Sequence, residues 1–110
     1  MIIATFFRDS NDNLTGFDCK GHADSDDYGH DVVCAAVSAL VINTVNSIET
    51  FTDDHFECTS DEKNGGDLTL KMADNISSES KLLLNSLLLG LEAVKTSNDD
   101  NFIKIAFEEV

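Results

Sequence analysis

Residues 2–20, IIATFFRDSNDNLTGFDCK, decide the fold. Ile2 to Arg8 is rich in β-branched and aromatic side chains, and Leu14 to Lys20 alternates loosely between apolar and polar. Ser10, Asn11, Asp12 and Asn13 lie between them, and such residues favour tight turns, so this stretch predicts a β-hairpin. Working outward, Val33, Val37, Leu40, Thr44, Ile48 and Phe51 recur at steps of three and four, the spacing of a helix that buries one face. Asp31 stands where a cap for that helix is expected. A second hairpin is predicted from His55 to Ser60, turning through Asn64, Gly65 and Gly66 into Asp67 to Met72, with Leu68, Leu70 and Met72 on one face. A second helix runs from Ser77 or Ser78 to about Thr96, and a last strand from Phe102 to Glu108. The order ββαββαβ predicts an α+β sandwich of two layers, one mainly antiparallel sheet with both helices on one face.

The chain has 110 residues, which suits a single domain spanning 1–110. Hydrophobic residues make up 42% and charged residues 25%, a balance that argues against wholesale disorder. Asp and Glu outnumber Lys and Arg by 21 to 7, giving a net charge of −14. Binding to a phosphate backbone relies on clustered Lys and Arg, which are missing here, so nucleic acid is not an expected partner. An acidic body instead attracts cationic partners. The start, MIIATFFRDS, lacks the features of a signal peptide, and the apolar run Leu82 to Leu91 is too short to span a membrane. A cytoplasmic location is therefore expected, with no membrane partner. Cys19, Cys34 and Cys58 are an odd number without regular spacing and read as reduced thiols. Cys58, on an alternating strand, reads as a packing residue, and His55, between acids, as a solvated one.

In the second helix Leu83, Leu87, Leu91 and Val94 would make one core stripe. Leu82, Leu84, Leu88 and Leu89 broaden the apolar arc towards another surface, which suggests a partner copy.

The chemistry concentrates in residues 20–40, KGHADSDDYGHDVVCAAVSAL. This segment joins a strand end to a helix start through a polar loop longer than the usual connection of about 4 to 6 residues. A thiol near a helix start sees unpaired N–H groups that favour its thiolate, which makes Cys34 a candidate nucleophile. His22 leaves the strand at the far end of the loop, so the fold can bring an imidazole beside that thiol, the minimum for acyl transfer. Two blander readings stand beside this one. Most reduced cysteines are small buried hydrophobes. Cys19, His22, His30 and Cys34 also have the ligand types, though not the paired spacing, of a zinc site. A calcium loop on Asp24, Asp26 and Gly29 fails, because Tyr28 and Ala35 occupy positions that need oxygen ligands. Gly21 and Gly29 bracket the loop and would serve either as turn residues or as hinges. Ser38 lies a helical turn beyond Cys34, and no nucleophile elbow surrounds it.

Residues 21–40, GHADSDDYGHDVVCAAVSAL, resemble the signature of the bacterial ribosomal-processing cysteine protease family called Prp. That signature is Gly-His-Ala, a loop, Gly-x-Asp, two aliphatics, Cys-Ala-Ala and a Ser. The resemblance implies a cysteine endopeptidase that removes an N-terminal extension from a basic ribosomal protein of the large subunit, the twenty-seventh. It also implies Cys34 as nucleophile, His22 as general acid/base, a homodimer as the working form, and neither metal nor cofactor. Asp31 matches the motif's Asp, and two roles stay open for it, orienting His22 or capping the helix. The family cuts after a pair of aromatic residues, which implies an apolar pocket beside Cys34 formed partly by the loop that carries Tyr28. Asp24, Asp26 and Asp27 would then form an acidic rim. A second class of function fits the same composition, an acidic non-catalytic module or chaperone that captures a basic ribosomal protein.

Overall fold

A computed structural model describes residues 1–22, 30–97 and 102–110, with the side chains of His30, Asp31 and Asn64 left out. The elements are β1 (Ile2–Arg8), β2 (Leu14–Lys20), α1 (His30–Phe51), β3 (Phe56–Asp61), β4 (Asp67–Met72), α2 (Ser78–Ser97) and β5 (Ile103–Glu109). The five strands form one sheet in the order β3-β4-β2-β1-β5. Its pairings are antiparallel except that of β1 with β5, which is parallel. The ββαββαβ order and the mainly antiparallel sheet are those expected from the sequence.

The first hairpin turns because Asp9 is a local acceptor. Its Oδ1 accepts the N–H of Asn11 at 2.9 Å and of Asn13 at 3.0 Å, and Asp12 takes a left-handed φ of 63° that Asp tolerates better than most residues. These N–H bonds hold the Asp9 carboxyl below its ordinary pKa. Along β1 the pleat turns Ile2, Ala4 and Phe6 to one face, opposite Cys19 and Phe17 of β2, and Leu70 of β4 continues that layer. Both helices cover it. From α1 come Val33, Cys34, Val37, Val41 and Ile48, and from α2 Leu84, Leu87 and Leu91, all buried in one cluster. Each such side chain stabilises the fold by about 1.5–3 kcal/mol relative to exposure.

α2 is held at its start by a polar knot. Ser77 Oγ accepts the Ser80 N–H at 3.1 Å as an N-cap does, while Ser77 Oγ and Ser80 Oγ donate to Asp54 Oδ2 at 2.6 Å and 2.5 Å. These donors lower the Asp54 pKa and leave Ser80 fully buried yet satisfied.

Several sequence expectations need correction. In α1 the buried stripe includes Val41 and Cys34, whereas Leu40 is half-buried and Phe51 is 73% exposed. Leu40 instead meets α2, where a Cβ on Gly90 would come within 3.2 Å of its Cδ1. In α2 the core stripe runs through Ser80, Leu84, Leu87 and Leu91, and Leu83 is half-buried. Of the surplus leucines Leu84 is fully buried, Leu88 is half-buried, and Leu82 and Leu89 are exposed, at 70% and 69%. Periodicity gives a face but not what covers it. Cys58 is exposed on the edge strand β3, not packed. α1 also begins at His30, which puts Asp31 within its first turn and not ahead of it. Residues Val32–Phe51 are long and apolar enough to cross a membrane by composition, with a mean hydropathy of 1.6, but their apolar stripe belongs to the core of this fold.

Candidate active site

The site is built where β2 ends against one flank of α1. With about 100° of rotation per residue, positions four apart fall on one ridge of a helix. Cys34, Ser38 and Ile42 form such a ridge, and the first two meet the turn after β2. Cys34 Sγ lies 3.8 Å from the Gly21 carbonyl oxygen. Ser38 Oγ is 2.8 Å from His22 Nδ1 and 3.0 Å from the His22 carbonyl oxygen. Ile42 lines a cleft with His22.

Ser38 has one hydroxyl proton. Donating it to the His22 carbonyl leaves its lone pair for Nδ1, so Nδ1 carries the ring proton and Nε2 is left as the basic nitrogen. Burial lowers the His22 pKa, and the Asp67 carboxylate opposes that shift. The ring is thus held by a serine whose role the sequence did not reveal, although the spacing of four from Cys34 was there to be read.

The turn itself depends on Gly21. Its φ is +83°, and a Cβ there would come within 2.7 Å of the Met1 carbonyl oxygen. Its N–H donates to the Gly66 carbonyl at 2.7 Å, tying the turn to the loop between β3 and β4. That loop contains a single 3-10 turn, Lys63–Gly65, followed by Gly66 at φ 91°.

Cys34 is buried, at 3% exposure. The neighbouring Cys19 is fully buried, and desolvation with nearby carboxylates pushes its thiol up to about 12, so it is not a nucleophile. Desolvation of its sulfur also raises the Cys58 thiol.

Beside His22 opens a cleft of about 510 Å³, walled by Ile42, Leu68, Asp61, Glu62 and Asp67. Its acids come from the β3–β4 hairpin and were not singled out by the sequence. The acids that were, Asp24, Asp26 and Asp27, lie outside the described residues, as do Tyr28 and Gly29. Among the described residues no three His, Cys, Asp or Glu side chains gather as a metal site; the His30 side chain is not among them.

A family model, Cysteine protease Prp, matches residues 1–103. The chain belongs to the Prp family of cysteine proteases. Its relatives include the ribosomal processing cysteine protease Prp of Staphylococcus aureus, 35% identical over 81 residues, which are 74% of this chain and 76% of the relative. The Bacillus subtilis protein of the same name is 29% identical over 106 residues, covering 92% and 93% of the two chains. Among solved structures, SMU.848 of Streptococcus mutans superposes with a TM-score of 0.89 at 32% identity, over 100% of this chain and 96% of that one. The S. aureus Prp protease in complex with a substrate peptide gives a TM-score of 0.88 at 26% identity, over 98% and 100%. Prp membership makes this chain a ribosomal-processing cysteine protease and sets aside the non-catalytic module.

Proposed function

We propose that the protein removes an N-terminal extension from the twenty-seventh protein of the large ribosomal subunit, with Cys34 as nucleophile and His22 as general acid/base. The observation that carries this reading is the hydrogen bond between His22 Nδ1 and Ser38 Oγ at 2.8 Å, one helical turn from Cys34. It presents Nε2 as the nitrogen that exchanges protons with the reaction. The Cys34 thiolate adds to the scissile carbonyl, and the C–N bond breaks as Nε2–H protonates the departing amine. The resulting thioester is hydrolysed by a water whose proton returns to Nε2. Side chains on a helix lean towards its N-terminus, so Cys34 leans over the first turn, whose unpaired N–H groups would receive the oxyanion. A relative supports the covalent route, the S. aureus Prp structure with a covalently linked product peptide.

The net charge of −14 suits a basic substrate, and the exposed Leu82 and Leu89, two turns apart on α2, suit a homodimer contact. Gly21 and Gly29 are the proposed hinges, Asp31 is the proposed orienter of His22, and a cytoplasmic location follows from the substrate.

The test is the mass of a substrate peptide before and after incubation. The native protein should split it once and C34S should leave it whole. Cleavage by C34S at the native rate would refute the assignment. Sedimentation of the native protein and of L82K/L89K should give dimer and monomer respectively.

A further inference from the structure

The residue before Asp67 holds the residue before His22, because the Gly66 carbonyl accepts the Gly21 N–H at 2.7 Å. Across the same strand pair Asp67 stands opposite Lys20, and both Asp67 and His22 line the cleft of about 510 Å³. A backbone tie therefore brings together a carboxylate from the second hairpin and the imidazole at the end of the first. Lys20 Nζ bridges Asp67 Oδ2 at 2.9 Å and Asp18 Oδ2 at 3.1 Å, so one ammonium serves two carboxylates. Asp67 Oδ1 is buried with no hydrogen-bond donor among the described residues. Asp18 and partial burial push the Asp67 carboxyl above its ordinary pKa and the Lys20 ammonium counters them, so two acids share one cation at the end of the β2–β4 pair.

We propose that Asp67 is a positioning residue for the His22 proton: its carboxylate favours the imidazolium, and the Gly66–Gly21 bond fixes it within range. This rests on the reading of His22 as the acid that protonates the leaving amine. Burial in the turn discourages a charged ring, and a nearby anion offsets that cost so that a proton is available when the C–N bond breaks. The other described charges near the ring are Asp61 and Glu62 at the end of β3, Lys63 in the turn after it, and Asp18 and Lys20 on β2. The α1 flank contributes Cys34, Ser38 and Ile42. Asp67 differs from Asp61 and Glu62 in being tied through the backbone to the turn that carries His22.

The test is NMR titration of the His22 ring in the full chain, with H22Q identifying its signals among the histidines. D67N should lower the His22 pKa, because it removes the anion that offsets the cost of burying a charged ring. K20M, which removes the competing cation, should raise it. The alkaline limb of kcat/KM against pH should move in the same two directions. Shifts of opposite sign from two members of one ion pair are not what general loosening produces. An unmoved His22 in D67N, or shifts of one sign in both variants, would overturn the proposal. Failure of the underlying catalytic reading would appear separately, as native turnover in H22Q.

Discussion

Removing one oxygen from Ser38 should disarm the site while leaving the fold standing. S38A deletes two contacts, the 2.8 Å bond to His22 Nδ1 and the 3.0 Å bond to the His22 carbonyl. Each partly buried hydrogen bond contributes about 0.5–1.5 kcal/mol net, so the stability loss should be about 1–3 kcal/mol, less where water replaces the hydroxyl. The catalytic loss has a different origin. Without Ser38 the ring can turn, and the tautomer that presents Nε2 is no longer selected. A fall in kcat of about 10- to 100-fold is expected, equivalent to about 1.4–2.7 kcal/mol in the barrier. Ser38 holds His22 and not the substrate, so KM should change little. The assay is steady-state cleavage of a substrate peptide by the native protein, S38A and S38T, alongside thermal unfolding of each. S38T keeps a hydroxyl and should recover much of kcat. A kcat for S38A within about twofold of native, with His22 still required, would refute the orienting role. Equal damage in S38T and S38A would assign the effect to packing.

The other predictions use positions where the structure fixes the sign. G21A places a Cβ 2.7 Å from the Met1 carbonyl oxygen at a φ of +83°, so it should cost about 1–2 kcal/mol or more, lower Tm by several degrees and reduce kcat through the displaced His22; an unchanged Tm would argue against the strained turn. Cys19 titrates near 9.0 when unfolded and at about 12 when folded, so its contribution is intact below pH 9 and lost as pH rises towards 12, up to about 4 kcal/mol; urea unfolding across that range should show a decline that is shallower in C19A. L84A, in the centre of the core, should cost about 2–5 kcal/mol by denaturant unfolding, whereas L82A, at 70% exposure, should change the stability of the monomer by about 0.5 kcal/mol or less.

The elements and their kinds were legible along the chain. Turn formers between two β-rich runs define the first hairpin, steps of three and four define α1, and the ββαββαβ order follows from local preferences that act within a few residues. The motif from Gly21 to Ser38 likewise named His22 and Cys34, because the resemblance lies in contiguous residues. Other features depend on contacts between residues far apart in the chain. The periodicity of α2 could not say that Leu84 is buried and Leu82 exposed, since that depends on which face meets α1 and the sheet. Nor could it say that Cys58 sits on an exposed edge, which is settled by the strand order. The partners of His22 show the same division. Ser38 shares a ridge with Cys34 by local geometry, yet its role appears only once the end of β2 crosses that ridge. Asp67 reaches the cleft because β4 pairs with β2, and pairing register is a property of the sheet that no single strand carries.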